Sequence, residues 1–196
     1  MSVMAESNRK AIIKNTAARL FRKKGFKATS MQDIADLLDI KAASLYNHIG
    51  SKQEILAELC LNIAESFTAG MKDIKLSSLD NIEKLEALVD LHVEMTFRYR
   101  DSIALITGEW VHLDEPQLGT YKLQREQYEK DFMSILKSCR KDGLIAPKIN
   151  LDIALFSILS SLHWLYNWYN KNSRISKIEL TKQLKNVLLK GIIQNP

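Results

Sequence analysis

Glycine and proline are scarce in this chain, with 7 Gly and 3 Pro among 196 residues. Turn-rich all-β architectures need both at their hairpins, so the deficit disfavours them and favours long helices. Cysteine is scarcer still. Cys60 and Cys139 lie far apart and match neither a CxxC pair nor a zinc-ligand spacing, which points to two reduced, buried thiols in a cytoplasmic protein. The N-terminus lacks an apolar signal core, so no secretion is expected. The most apolar run, Leu151 to Tyr169, is interrupted by Asp152, His163 and Asn167 and by small Ala and Ser residues. It reads as a buried core helix rather than a membrane span, and no membrane partner is expected. Catalytic signatures are missing as well. His92, His112 and His163 stand outside HExxH spacing, and His92 and Glu94 do not share a helix face. A Gly-rich phosphate loop and a nucleophile elbow are absent, so the chain reads as a non-enzyme without metal or cofactor.

What is present is an uneven distribution of charge. The net charge is +5. Residues 1–56 carry ten Lys/Arg against five Asp/Glu, whereas residues 57–196 carry eighteen of each. The whole basic excess therefore lies in the first segment. That is the electrostatic footprint of nucleic-acid binding, with a lysine-rich solvated face as the plainer alternative.

Apolar periodicity indicates helices throughout. Ile12, Ile13, Ala17, Leu20 and Phe21 define a first helix over 9–24, closed by Lys23, Lys24 and Gly25. Thr29 or Ser30 can cap a second helix that buries Met31, Ile34, Ala35 and Leu38, with Asp33 favourable in its first turn. Asp39 sits where the chain must turn, and Asp tolerates left-handed backbone. A third helix spans about 41–48, and Ser51 with Glu54 offers a capping box to a fourth running to about Lys75. Further helical patterns cover 80–99, 101–112, 116–141, 150–170 and 176–193, with breaks at Asp101, Pro116, Gly143 with Pro147, and 170–176. The expected fold is all-α, with about nine helices: a three-helix domain over 1–53 and a larger helical domain over 54–196.

The stretch Thr29 to Lys52 carries the most chemistry. Two short helices joined by a tight turn form a helix-turn-helix, whose second helix needs one apolar edge for its own domain and one polar edge for the DNA major groove. In the third helix Leu45 and Ile49 face inward, while Ala43, Ser44, Tyr46 and Asn47 lie on the opposite arc. Ala42 falls nearer the inward side. Tyr46 and His48 suit phosphate oxygens, and Lys52 opens the fourth helix, where free amides also favour a phosphate. Ser44, Asn47 and Gln32 are the base-reading candidates, while Ala42 and Ala43 offer methyl contacts. This set grips phosphate better than it reads bases, so part of the specificity falls to DNA shape. Tyr46 as a plain packing aromatic and His48 as an ordinary exposed histidine are the simpler alternatives.

These residues carry a resemblance. The segment Ile12 to Leu56 resembles the DNA-binding domain of TetR-family transcriptional regulators through Phe21, Gly25, Thr29, Ile34-Ala35, Leu45-Tyr46, His48 and Ser51-Lys52. It departs from the family pattern at Asp39 (often glycine), Ile49 (often Phe) and Lys41 (commonly a small cap). The resemblance implies DNA contacts from Ser30, Gln32, Ala42, Ala43, Ser44, Tyr46, His48 and Lys52. Thr29 and Asn47 join them as candidates. It also implies a dimer on a palindromic operator and repression released by a small molecule.

The C-terminal two-thirds hold two further signals. Tyr121 to Gly143 is a charged amphipathic helix with an apolar stripe of Phe132, Ile135, Leu136 and Cys139. Leu162 to Tyr169 (LHWLYNWY) places Trp164 and Trp168 one turn apart, either as core or as an aromatic wall of a ligand cavity. Arg125 with Tyr128, and Trp164 with Trp168-Tyr169, are similar to motifs of the TetR branch that senses acyl-CoA or fatty acids. That similarity implies ligand contacts from Arg125, Tyr128, His163, Trp164, Asn167 and Trp168, with Arg125 suited to a CoA phosphate or carboxylate. The last two helices are the expected homodimer interface. Ala154, Ser157, Ser160 and Ser161 would allow close approach there, and Ile178, Leu184, Val187, Leu188 and Ile192 would supply apolar contact. An architectural DNA-binding protein without a small-molecule ligand is the alternative reading.

Overall fold

The computed structural model describes residues 3–169 and 175–190, and the described chain is helical. Its α-helices are α1 (Val3–Lys24), α2 (Met31–Leu37), α3 (Ala42–Tyr46), α4 (Lys52–Leu76), α5 (Asn81–Ala104), α6 (Gln117–Lys141), α7 (Leu151–His163), α8 (Leu165–Trp168) and α9 (Lys177–Leu189). A π-helical turn (Leu105–Glu109) and a 3-10 turn (Trp110–His112) follow α5. Among the described residues no helix is long and apolar enough to cross a membrane.

The chain forms two compact units. One comprises residues 1–64 and 100–122, the other residues 65–99 and 123–196. The first unit thus takes in more chain than the N-terminal segment alone. Ile13, Phe21, Ile34, Leu45, Ile55, Leu56 and Leu105 pack together at its centre with no exposed surface.

Local chemistry explains the ends of α1 to α4. Gly25 stops α1 in the left-handed region (φ 85°), its N–H donating to Phe21 at 2.8 Å. Ser30 starts α2 with a full capping box: its hydroxyl oxygen accepts from the Asp33 amide, and the Asp33 carboxylate accepts from the Ser30 amide. Asp39 adopts φ 53°, so the turn where the family often has glycine is made by aspartate. The third helix is shorter than the expected 41–48, because Lys41 supplies no side-chain cap and Asn47 already closes it. At α4 the Ser51 hydroxyl caps the Glu54 amide, but the Glu54 carboxylate reaches back to the Gly50 amide at 2.8 Å. The expected capping box is therefore displaced by one residue.

Two expectations are corrected. The break expected at Asp101 is present as a kink two residues earlier, at Tyr99 (φ −130°, ψ 37°), and the Asp101 carboxylate accepts from Arg22 at 2.8 Å. Beyond the kink, 101–112 is not one regular helix, since the α-helix ends at Ala104 and the π and 3-10 turns follow. The run 150–170 divides at Trp164, and it is not a wholly buried helix. Ala154, Ile158, Leu159, Leu162 and Leu165 are buried, whereas Ile153, Phe156, Trp164 and Trp168 are exposed. Ala154 accordingly belongs to the chain's own core rather than to an open small-residue stripe. In α9 Leu180 and Leu189 face inward, and Ile178 and Val187 outward. Ile192, the break at 170–174 and the helix end expected at 193 lie outside the described residues. Both cysteines are free and buried, and burial is the main cause that pushes their thiols up, Cys60 to about 12 and Cys139 to about 11.

Candidate functional site

A groove of about 590 Å³ opens where the starts of α2, α3 and α4 converge. Thr29, Ser30, Gln32, Ala42, Tyr46 and Lys52 line it, together with Lys27. Above it α3 has the two faces its sequence requires. Leu45 and Ile49 are buried, while Ala43, Ser44, Tyr46 and Asn47 are exposed and Ala42 is intermediate. Tyr46 is 53% exposed, which sets aside the packing alternative for its ring.

Other candidates in the groove are already engaged. Thr29 is only 1% exposed, and its hydroxyl donates to the Gly25 carbonyl at 2.9 Å. It braces the turn and presents no side-chain donor to solvent. Ser30 is committed to Asp33, whose carboxyl lies well below the usual carboxylate range because Lys24 and then Ser30 donate to it. Gln32 donates to Asp36 at 2.6 Å, one helical turn on. His48 is half-buried, and its buried Nδ1 makes no hydrogen bond.

Lys52 departs furthest from expectation. Its ammonium donates to the carbonyls of Phe26 (3.0 Å) and Thr29 (2.9 Å), with a longer contact to Lys27 (3.4 Å). It also lies 4.5 Å from the centre of the Phe26 ring. An ammonium has three donors, and these are directed to main-chain acceptors. Lys52 ties α4 to the α1–α2 turn. Lys52 is half-buried and stands in the first turn of α4.

The second unit encloses a polar cluster that only partly overlaps the sequence candidates. His92 of α5 is 3% exposed, and its Nε2 lies 2.9 Å from the Tyr128 hydroxyl of α6. The His163 ring of α7 is centred 5.8 Å from His92, and Phe67 of α4 packs 4.7 Å from the same ring. Burial pushes the pKa of His92 well down and that of Tyr128 up, so both are uncharged. His163 is also lowered, by burial first and then by the Arg125 charge. Arg125 pairs with Glu129 at 2.9 Å on the exposed side of α6. Trp164 and Trp168 are 62% and 61% exposed and Asn167 is exposed, so the two indoles lie outside the chain's own core and apart from the buried cluster. The sequence did carry a sign of His92. It interrupts the stripe Leu85, Leu88, Val89, Val93 at helical spacing, where an apolar residue is expected.

Two outcomes follow. Lys52→Met keeps the aliphatic stem and removes the ammonium; stability measured by urea unfolding without DNA should drop by about 1–3 kcal/mol. Unchanged stability with weakened DNA binding would instead assign the ammonium directly to phosphate. For His92 and His163 the folded pKa lies below the ordinary 6.5, so the unfolded chain binds more protons at mildly acidic pH. Stability should be full above 6.5 and decline as the pH falls below it, a window separate from the carboxylates near 3.8. The unfolding midpoint measured from about pH 7.5 to about pH 5 checks this, and a His92→Phe, Tyr128→Phe double variant should flatten the decline.

Two family models match the chain. Residues 13–59 match the family described as bacterial regulatory proteins, tetR family, and residues 78–192 match the tetracyclin repressor-like C-terminal domain. The transcriptional repressor KstR2 of Rhodococcus jostii is 28% identical over 189 residues, covering 95% of this chain and 92% of that protein. The structure of the ketosteroid transcriptional regulator KstR2 of Mycobacterium tuberculosis superimposes with a TM-score of 0.90 at 24% identity, covering 95% of this chain and 96% of the other. AibR, solved with isovaleryl coenzyme A and operator DNA, has the same fold, with a TM-score of 0.79 at 23% identity over 92% and 98% of the two chains. Family matches to the helix-turn-helix segment and to more than half of the chain beyond it lead to one conclusion: this protein belongs to the TetR family of transcriptional regulators.

Proposed function

We propose that the protein is a dimeric, ligand-responsive repressor that binds a palindromic operator and is released by an acyl-type effector. The observation that carries the DNA part is the exposed polar face of α3 beside the groove at the start of α4. Ser44 and Asn47 read base edges, Ala42 and Ala43 contact methyl groups, and Tyr46 holds phosphate. Ser30, Gln32, Thr29 and Lys52 set the frame of the motif, and His48 offers its remaining ring nitrogen to the backbone. Residues 1–53 serve as the DNA-binding domain and residues 54–196 as the sensing and dimerising domain.

Support for a dimer comes from apolar surface that a single chain leaves uncovered. Ile153, Phe156, Trp164 and Trp168 project from α7 and α8, and Ile178 and Val187 from α9. Covering large apolar side chains is favourable by about 1.5–3 kcal/mol each. A two-fold axis would then place two α3 helices on successive major grooves. The effector site centres on Tyr128 and His163, with Arg125 at its mouth to meet an anionic head group, and with Trp164, Asn167 and Trp168 towards the subunit contact. The acyl class is supported by the Arg125-Tyr128 pattern and by AibR, whose structure holds isovaleryl coenzyme A with operator DNA. Effector binding favours a conformation in which the two α3 helices no longer match the DNA.

Selection of duplexes by the full-length protein from random sequence tests this. Enriched duplexes should contain an inverted repeat, and acyl-CoA should displace them. Asn47→Ala should relax preference at one position by about 1–3 kcal/mol, and Tyr46→Ala should weaken all sequences alike. Enrichment without any sequence preference would favour the architectural reading.

A further inference from the structure

We propose that His92, Tyr128 and His163 form a hydrogen-bonding station for one uncharged carbonyl oxygen of the effector, either the thioester of an acyl-CoA or a ketone on its chain. The proposal rests on the ligand-responsive reading above and adds to it the chemistry that the interior recognises. His92 of α5 meets the Tyr128 hydroxyl of α6 and lies beside the His163 ring of α7. Phe67 packs against two of them, at 4.7 Å from His92 and 5.7 Å from Tyr128. His92 and Tyr128 satisfy each other at 2.9 Å, yet phenylalanine at both positions would fill the same space with no polar group to satisfy. Packing alone therefore does not call for an imidazole and a phenol there.

The proton inventory identifies the ligand group. With His92 Nε2–H donating to the Tyr128 oxygen at 2.9 Å, the phenolic proton remains available to point onward. An incoming carbonyl accepts that proton without breaking the His92 contact, and the His163 ring is centred 5.8 Å from His92. A carboxylate suits the position less well. Burial lowers the pKa of His92 and of His163, so neither ring supplies a positive charge to an anion. The positive charge lies outside, on Arg125, in its exposed pair with Glu129. One turn before Tyr128 on the same helix, the buried Gln124 Oε1 has no hydrogen-bond partner and offers an acceptor for an N–H or O–H. A neutral interior with a cationic rim suits a molecule whose carbonyl is buried and whose anionic head stays at the surface.

Calorimetric titration of the full-length protein with three CoA probes tests the assignment. The probes are octanoyl-CoA, its thioether S-octyl-CoA, and an octanoyl-CoA carrying a ketone near the chain end. If the station reads the thioester, octanoyl-CoA binds about tenfold tighter than the thioether; if it reads a chain ketone, the keto probe exceeds octanoyl-CoA by a similar factor. Whichever preference appears should vanish in Tyr128→Phe and survive in His92→Gln, which keeps an N–H donor. If Tyr128→Phe does not fold, the His92→Phe, Tyr128→Phe double variant, which leaves neither partner orphaned, should show the same loss. Equal binding of all three probes, or a preference that survives Tyr128→Phe, overturns the station and leaves the acyl-effector reading standing. Failure of every probe to bind the wild-type protein overturns both.

Discussion

The DNA-binding unit depends on how Phe26 is held. Its ring is 5% exposed and meets Phe21 edge-on at 5.1 Å and His112 in a stacked arrangement at 6.0 Å, with the Lys52 ammonium 4.5 Å from its centre. Its main chain is engaged on both sides: the N–H donates to Glu109 at 3.0 Å, and the carbonyl accepts from Lys52 at 3.0 Å. A partly desolvated cation–π contact contributes about 0.5–2 kcal/mol and each charge-assisted hydrogen bond about 1.5–3 kcal/mol, so a few residues fix a turn that has little regular structure of its own. That turn sets where α2 begins, and α2 with its Asp39 turn sets where α3 points. The same contacts make residues 105–112 part of the first compact unit. Glu109, His112 and Gln53, which donates to the His112 carbonyl at 2.6 Å, bind the π and 3-10 turns to the helix-turn-helix. A displacement of Glu109 therefore acts directly on the backbone that positions α2.

Charged groups in the two units are used differently. In the first, positive charge is exposed, paired as in Arg22–Asp101 and Lys24–Asp33, or, at Lys52, directed to main-chain carbonyls. In the second, the polar groups at the centre are neutral and the charges lie outside, in pairs such as Arg125–Glu129 and Lys185–Asp90. Exposed pairs of this kind stabilise by at most about 1 kcal/mol, so the second unit rests on its apolar core.

Much of the fold is legible from periodicity. The inward placing of Leu45 and Ile49, the Gly25 stop and the Asp39 turn follow from rules that act within a few residues. The departures arise where a distant partner overrides the local signal. The break read at Asp101 falls two residues earlier, at Tyr99. Glu54 completes its cap one residue earlier than the pattern suggests. Lys52 and Thr29 have the composition of phosphate ligands, yet carbonyls of the α1–α2 turn occupy them. His92 is hidden for the same reason, since only the packing of α5 against α6 and α7 gives a lone histidine its partners. The apolar run 151–169 reads as core because composition does not distinguish a face covered by the chain itself from one left exposed.

Hydrogen–deuterium exchange of the full-length protein, with and without a duplex obtained by selection, tests most directly the claim that the exposed face of α3 is the DNA contact. Slower exchange over residues 42–50 and at the start of α4, with the buried cluster around His92 unchanged, is the predicted result. Protection confined to other surfaces, with residues 42–50 exchanging as in the free protein, would contradict it.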